Sequence, residues 1–305
     1  MKKKYLGNTG LKVSQLGLGV GGIFGMKSFN ETKALDLIYK SIDSGITFLD
    51  TGSAYSYGNA EIRLGKALGS SNLDSLVIST KGGTVLSKGY RFIKNFSPKS
   101  LMENLEKSLT RLRLEKIDLF QLHSPSLNDI NHDVFNTIER MKKDGKILYS
   151  GVSCDGEVLN KAINSNFFDS FMSTYNIINT GNGKQLKKAK LKNLGTIAKS
   201  PLAHIVFSNK IFKINDIASL WYFLRIIKNY KTKFFQGYKY RFINGIDGFS
   251  STDIALNYVA RNKNIDIIMI GTTKIKHLLE NIKSLEKKYP EKIFNKIEKI
   301  QQSII

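Results

Sequence analysis

The stretch LVISTKGGTVLSKGYRFIKNFSPKSLMENLEKSLTRLRLEKIDLFQLH, residues 76–123, contains a strand, a helix and a second strand. The apolar run 76–81 ends in a lysine, and the apolar run 117–123 ends in a histidine, as expected of strands buried on both faces. The helical stretch between them, residues 100–112, repeats leucine on one face: Leu101, Leu105, Leu109 and Leu112. A strand, a helix and a strand in this order predict one unit of a parallel sheet.

The same alternation continues along almost the whole chain of 305 residues. Eight strands with about as many helices fit a closed (β/α)8 barrel, or TIM barrel, whose usual size is about 250 residues plus insertions. The alternative is an open, doubly wound sheet. We expect an α/β (β/α)8 barrel and a single domain over residues 1–305, because no linker rich in proline, glycine or serine divides the chain. The eight predicted strands are 16–19, 47–50, 76–81, 117–123, 147–153, 171–175, 195–199 and 267–270.

Two segments fall outside this alternation. Residues 3–6 and 11–14 flank Gly7-Asn8-Thr9-Gly10, which predicts an N-terminal β-hairpin placed to cover one end of the barrel. Residues 203–248 form a long insertion between strands seven and eight. Because such insertions tend to lie over the active face of a barrel, we expect this one to contribute aromatic side chains to the substrate pocket: Trp221, Tyr222, Phe234 and Phe235.

Composition excludes several classes of protein. Lys and Arg number 47 against 25 Asp and Glu, a formal net charge of +22, but 41% hydrophobic content is that of a globular chain rather than a disordered polycation. The one cysteine, Cys154, allows no internal disulfide, and four scattered histidines offer no metal-ligand spacing. We therefore expect no metal site and a reducing, cytoplasmic location. No apolar run approaches about 18 residues, so no membrane span is expected.

The excess positive charge is concentrated in residues 181–305, which carry 24 basic and 8 acidic side chains. Within it, the stretch 222–242 mixes six basic with eight aromatic residues, a composition typical of surfaces that bind single-stranded nucleic acid. Apolar residues at helical spacing predict instead a packed helix whose lysines and arginines face water. We expect no nucleic-acid partner; a basic module that binds nucleic acid or an anionic surface stays open as an alternative.

Three predicted strands end in a polar residue at the same depth: Asp50, Lys81 and His123. Tyr55 follows Asp50 by five residues. The carboxyl ends of barrel strands form the active face, so we expect the four side chains to converge there. A phenol titrates near pH 10, and an adjacent ammonium held by a carboxylate makes it a better acid. The set suits protonation of a developing alkoxide, whereas no serine, cysteine or carboxylate pair is placed for hydrolysis.

At these residues the chain resembles the aldo-keto reductase superfamily, barrel enzymes that reduce aldehydes and ketones with a nicotinamide cofactor. The segment FLDTGSAY, residues 48–55, is similar to the family signature around its Asp and Tyr. VISTK at 77–81 and IDLFQLH at 117–123 are similar to the strands that end in the family Lys and His. Further similarities lie at residues 145–153, 175–176, 200–202 and 271–281, so that the resemblance spans about residues 3–285.

The resemblance implies a role for each residue of this set. Tyr55 would be the proton donor, Lys81 would tune its acidity, Asp50 would pair with Lys81, and His123 would position the substrate carbonyl. The implied cofactor contacts run from the nicotinamide through the pyrophosphate to the adenosine half: Ser153; Ser200 and Leu202; and Thr272, His277, Glu280 and Asn281. The resemblance favours NADP(H) over NAD(H), with a small carbonyl compound, for example a sugar derivative, as substrate.

The nicotinamide pocket departs from the family pattern at three positions, Cys154, Met172 and Lys199. These departures keep a second function open, a regulatory or redox-sensing barrel that binds nicotinamide with little catalysis. The glycines at 17–22 also satisfy G-x-G-x-x-G, the pattern of a Rossmann dinucleotide site. No helix pattern begins inside that motif, so we interpret it as a tight loop between strand and helix.

Overall fold

The computed structural model describes residues 1–69, 71, 73–87, 91–209, 223–224, 227, 232 and 234–303. Its strands, β1 to β12 in chain order, are Lys3–Tyr5, Lys12–Ser14, Leu16–Gly19, Phe48–Asp50, Val77–Gly82, Thr84–Leu86, Phe92–Lys94, Ile117–His123, Ile147–Ser153, Ser170–Thr174, Gly195–Lys199 and Ile267–Ile270. Its α-helices are Gly22–Gly25, Glu31–Asp43, Asn59–Leu68, Pro98–Leu112, His132–Lys143, Gly156–Asn164, Gly183–Leu191, Ser251–Ala260, Ile275–Ser284 and Glu291–Gln302. None of these helices is long and apolar enough to cross a membrane.

Eight parallel strands close into a barrel in the order β3, β4, β5, β8, β9, β10, β11 and β12, and β12 pairs back to β3. The predicted (β/α)8 barrel is therefore confirmed, and the open sheet is excluded. Five predicted strands have the observed bounds. The predicted strand 47–50 begins one residue later, at Phe48, and the predicted strands 76–81 and 171–175 are each shifted by one residue at both ends. The predicted bounds lie close to the observed ones because a strand covered on both faces must be apolar along its length, which marks it in the sequence.

Side chains alternate between the barrel interior and the surrounding helices. Phe48, Val77 and Leu119 belong to the interior cluster, whereas the residues that follow them, such as Leu49, pack in the layer between strands and helices. The predicted N-terminal hairpin, β1 with β2, is present. Its Leu6 packs in the interior cluster, so the hairpin covers the end of the barrel at which the strands begin.

The glycine-rich motif at 17–22 belongs to a barrel strand and its loop. A Cβ at Gly17 would lie 2.7 Å from Met269 Sδ, so the glycine makes room for interior packing. The helix Gly22–Gly25 has one turn, and the next helix begins only at Glu31. This arrangement agrees with the predicted tight loop and not with a Rossmann unit, whose helix would begin inside the motif.

Two elements were not predicted from the sequence. Strands β6 and β7 form an antiparallel hairpin after β5, and the helix Glu291–Gln302 follows the last barrel helix. In the long insertion, Trp221 and Tyr222 lie outside the described residues. Of the other two aromatic residues expected there, Phe234 is half-buried and Phe235 is exposed.

Gly65 provides a test of the packing between the helices Asn59–Leu68 and Pro98–Leu112. A Cβ at Gly65 would lie 2.2 Å from the carbonyl oxygen of Arg111, a backbone atom that cannot rotate away. We expect Gly65→Ala to lower the free energy of unfolding by about 1–3 kcal/mol. The control is Gly69→Ala, where the nearest atom to the new Cβ would be 3.7 Å away. Urea unfolding measures both, and equal midpoints for the two variants would contradict the packing argument.

Candidate active site

The four side chains predicted to converge meet at the carboxyl end of the barrel. Asp50 ends β4, Lys81 is the penultimate residue of β5, and His123 ends β8, and these three strands are neighbours. Tyr55 begins a short 3-10 turn, Tyr55–Gly58, directly after β4. All four line one cavity of about 240 Å³. Barrel closure brings them together, because parallel strands end at the same face.

Lys81 and Asp50 form a buried ion pair. Lys81 is 1% exposed and Asp50 is 6% exposed. The Lys81 ammonium contacts the Asp50 carboxylate and donates a hydrogen bond to the Thr51 carbonyl at 2.7 Å. Burial on its own lowers the pKa of Lys81, but the Asp50 carboxylate and the Tyr55 oxygen more than offset it, so the pKa of Lys81 is raised. Lys81 therefore carries its charge at neutral pH.

Tyr55 lies between this ammonium and an imidazole. The Lys81 Nζ is 5.3 Å from the centroid of the Tyr55 ring. The ring centroids of Tyr55 and His123 are 5.5 Å apart, with an edge-to-face angle of 84°. A phenol, an ammonium and an imidazole thus share one wall of the cavity, which is the combination required for proton donation to a carbonyl oxygen.

His123 is neutral at physiological pH. Burial lowers the pKa of His123 to about 3, and the ammonium groups of Lys81, Lys94 and Lys199 contribute. Lys94 Nζ donates to Thr84 Oγ1 at 2.7 Å, and Thr84 Oγ1 is 3.3 Å from His123 Nδ1. Because an ammonium can only donate, the Thr84 hydroxyl proton is free to donate to Nδ1. In the tautomer in which Nδ1 accepts this proton, the imidazole proton lies on Nε2, where it is available to a ligand.

Several residues that support the site were not identified from the sequence. Ser79 and Gln121 donate to the same Asp50 oxygen, at 3.0 and 3.2 Å, and so hold the carboxylate in place. Each lies two residues before a predicted site residue on its strand, so the period-2 alternation could have revealed both. Thr84 and Lys94 belong to the unpredicted hairpin, and no pattern in the sequence pointed to them.

Some of the residues expected to bind the cofactor line the catalytic cavity. Ser153 and Ser200 do so, and Leu202 follows in the loop after β11. Lys199, which was not among the expected cofactor residues, lines the same cavity. Lys199 Nζ donates to Ser153 Oγ at 3.5 Å and lies 3.4 Å from the Asp155 carboxylate. The mouth therefore contains a third ammonium, in addition to those of Lys81 and Lys94.

The remaining expected cofactor residues lie farther along the same face, after β12. Thr272 Oγ1 accepts a hydrogen bond from the Lys274 backbone at 3.2 Å, directly before the helix Ile275–Ser284. On that helix His277 and Glu280 are exposed, whereas Asn281 is buried. Glu280 lines a separate cavity of about 340 Å³. The predicted cofactor residues thus fall into two groups, one at the catalytic cavity and one on this helix.

Of the three departures from the family pattern, Met172 and Lys199 line the catalytic cavity, whereas Cys154 follows Ser153 in the chain and is not part of the lining. Met172 is 3% exposed and lines its wall. Cys154 is 4% exposed, and burial raises the pKa of its thiol to about 12. The thiol is therefore protonated at neutral pH and packs as a small apolar side chain.

Several known proteins are similar in sequence to this chain. The uncharacterized oxidoreductase YqkF of Bacillus subtilis is 26% identical over 294 residues, covering 93% of this chain and 91% of that protein. The NADH-specific methylglyoxal reductase of Escherichia coli is 30% identical over 195 residues, covering 58% and 60%. A probable voltage-gated potassium channel subunit beta of Oryza sativa is 28% identical over 327 residues, covering 99% and 97%.

A solved structure shares the fold. The holo form of the aldo-keto reductase AKR11C1 from Bacillus halodurans superposes with a TM-score of 0.82 at 23% identity, covering 98% of this chain and 96% of that one. The family model for the aldo/keto reductase family matches residues 15–302. The chain therefore belongs to the aldo/keto reductase family of NAD(P)-dependent oxidoreductases.

Proposed function

We propose that the protein reduces an aldehyde or ketone to the alcohol, with Tyr55 as the proton donor. The observation that carries the proposal is the convergence of Tyr55, Lys81, Asp50 and His123 on one cavity at the barrel mouth. Such a reduction needs an acid beside the carbonyl oxygen and a neutral hydrogen-bond donor that orients the carbonyl group. The four side chains supply both, and the small cavity suits a small carbonyl compound.

The residues around the mouth fit a nicotinamide cofactor. Gly271 lines the cavity, and a Cβ there would meet no atom within 4 Å, so the glycine leaves open space at the mouth. Ser153 and Ser200 line the same cavity and offer hydroxyl groups to the carboxamide and the pyrophosphate. Leu202 follows them in the chain. When bound, the cofactor supplies the hydride.

Proton donation depends on the electrostatics around Tyr55. As negative charge develops on the carbonyl oxygen, the Tyr55 hydroxyl donates its proton, and the Lys81 ammonium stabilises the phenolate that remains. Asp50 keeps the ammonium charged and fixes its position. Neutral His123 donates from Nε2 to the same oxygen and orients the carbonyl before the proton moves.

NADP(H) is the favoured cofactor in this proposal. By the resemblance to the family, the adenosine half would contact Thr272, His277, Glu280 and Asn281, and Lys274 directly precedes the helix that carries the last three. A 2′-phosphate there would gain from the positive charge of the lysine. A preference for NADP(H) is not common to all similar proteins, because the relative from Escherichia coli is described as NADH-specific. The preference of this protein therefore has to be measured.

A regulatory barrel that binds nicotinamide with little catalysis is the second candidate. Two observations favour it. Lys199 places an ammonium in the catalytic cavity beside Ser153, where the family often has an aromatic ring. A relative similar over nearly its whole length is described as a channel subunit rather than an enzyme. Both candidates require cofactor binding, so turnover separates them.

Replacement of Tyr55 tests the proton donor. We expect Tyr55→Phe to lower kcat for an activated aldehyde by about 10²–10⁴-fold, because general acid catalysis is lost. Binding of NADPH, followed by its fluorescence, should be retained. The matched control is Tyr57→Phe, at an exposed tyrosine two residues later. Unchanged turnover in Tyr55→Phe would refute the assignment; cofactor binding without turnover of any carbonyl by the wild type would support the regulatory candidate.

The protonation of His123 gives a prediction about pH. Because its pKa is lowered to about 3, the imidazole proton resonances of His123 should not titrate between pH 8 and pH 5 in NMR spectra. The unfolded chain binds this proton near pH 6.5, so stability should fall as pH drops below that value, by at most about 1.4 kcal/mol per unit. His123→Asn identifies the resonance. A midpoint above pH 5 would contradict a neutral imidazole at the site.

Cofactor preference can be measured by fluorescence titration with NADPH and NADH. We expect NADPH to bind about tenfold more tightly, a difference of about 1.4 kcal/mol. Lys274→Met should reduce that ratio, because it removes a cation close to the adenosine residues. Lys292→Met, at an exposed lysine on the helix Glu291–Gln302, is the control and should leave the ratio unchanged. Equal affinities for the two cofactors in the wild type would refute the NADP(H) preference.

A further inference from the structure

A cavity of about 440 Å³ lies beside the catalytic cavity and takes no part in the proposed reaction. We call it the side cavity. It opens between the hairpin β6–β7, one face of the helix Pro98–Leu112 as far as Arg111, and residues 53–57. Its walls combine buried polar groups, charged side chains and exposed rings.

The wall of the side cavity contains a buried amide donor. Asn104 is 7% exposed, and its side-chain oxygen accepts hydrogen bonds from the Gly83 backbone at 3.0 Å and from Ser53 Oγ at 3.5 Å. Because the Gly83 N–H can only donate, the oxygen must face it, and Nδ2 is left to the cavity. In the part of the chain that the structure describes, Nδ2 has no hydrogen-bond partner.

Ser100, one turn earlier on the same helix, adds a second buried polar group. It is 8% exposed, and its backbone N–H donates to Ser97 Oγ, the helix N-cap. Its hydroxyl has no partner among the described residues. Unpaired buried polar groups destabilise a fold unless water or a ligand pairs with them. Both groups are open to the cavity, where a polar ligand can replace the water that otherwise pairs with them.

The charges on the side cavity favour an anion. Lys99 and Lys107 line it, and neither pairs with a carboxylate within the described ranges. Arg111 also lines it and is held in position by Glu61, whose carboxylate lies 3.1 Å from Nη1. Because Glu61 offsets the charge of Arg111, the excess comes from Lys99 and Lys107, against the one carboxylate in the described lining, that of Glu103. The start of the helix Pro98–Leu112, with its positive dipole end, adds to the same field.

The rim of the side cavity is aromatic. The rings of Tyr57 and Phe92 lie with centroids 5.2 Å apart and are inclined by 31°. Tyr57 is 60% exposed and Phe92 is 45% exposed, and Leu86 beside them is also exposed. An exposed apolar rim above a polar wall is typical of a binding site rather than of a solvated surface.

We propose that the side cavity binds a small organic anion that carries a planar ring, an aryl carboxylate or an aryl phosphate. The anion would be held by Asn104 and Lys107, with the ring against Tyr57 and Phe92. This assignment goes beyond the proposed reduction and does not depend on it.

A ligand in the side cavity would contact the segments that hold two proposed catalytic residues. Ser53 and Ala54 line it and directly precede Tyr55 in the chain. Thr84 lines it as well, and its hydroxyl oxygen is 3.3 Å from His123 Nδ1. A ligand there would therefore lie one residue away from the proposed proton donor in the chain, and one hydrogen-bonded group away from the proposed carbonyl-orienting imidazole.

Isothermal titration calorimetry with phenyl phosphate and with benzoate tests the assignment and distinguishes the two anions. Inorganic phosphate lacks the ring, and benzyl alcohol lacks the charge. We expect at least one aryl anion to bind about tenfold more tightly than both controls, which corresponds to about 1.4 kcal/mol. If inorganic phosphate or benzyl alcohol binds as well as the tighter of the two aryl anions, the proposed ligand class is wrong.

Two variants locate the binding. Asn104→Asp keeps the acceptor oxygen for Gly83 and replaces the amide donor with an oxygen that repels an anion, so Kd should rise about tenfold. Lys107→Gln removes one cation at an exposed position without affecting packing, and should raise Kd about threefold. Lys116→Gln, at an exposed lysine beyond the end of the helix, is the matched control. Thermal unfolding verifies that each variant is folded.

The titration is repeated with saturating NADPH to separate the side cavity from the cofactor residues. The affinity for the aryl anion should persist, since none of the predicted cofactor residues lines the side cavity. Displacement by NADPH, or wild-type affinity in both Asn104→Asp and Lys107→Gln, would overturn the proposal. None of these readouts depends on turnover, so a failure here is distinct from a failure of the proposed reduction.

Discussion

The buried pair between Lys81 and Asp50 is the interaction around which the mouth of the barrel is arranged. An ammonium that is 1% exposed would cost several kcal/mol if it had no partner. The Asp50 carboxylate and the Thr51 carbonyl, at the end of the neighbouring strand, pair with the ammonium and offset that cost. Because both lie at the end of β4, the loop that follows them, including Tyr55, is tied to the position of the charge.

The positive charge of Lys81 also affects the ionisable groups beside it at the mouth of the barrel. Burial is the largest cause that lowers the pKa of His123, and the ammonium groups of Lys81, Lys94 and Lys199 lower it further. Asp155 offsets part of the charge of Lys199. The mouth is therefore positively charged, as is the whole chain with its net charge of +22. There, a neutral imidazole and a phenol face a cavity bordered by cations.

Much of the fold and the centre of the site could be predicted from the sequence. Strands buried on both faces leave long apolar runs, and the polar residue that ends such a run on β4, β5 or β8 faces the mouth. Ser79, two residues before Lys81, could have been found by the same alternation. Thr84 and Lys94 could not, because their hairpin is short and mostly exposed, and neither burial nor periodicity marks it in the sequence.

The sequence by itself determined the alternation of strands and helices, the (β/α)8 barrel and the set of polar residues at the strand ends. These features depend on local burial and on the order of elements, which hydrophobic periodicity records directly. Only the tertiary structure decided which groups touch: the paired Lys81 and Asp50, the neutral His123, and the side cavity with the unpaired amide of Asn104. Such contacts join residues that are far apart in the chain, and their energies depend on distances and burial that exist only once the barrel has closed.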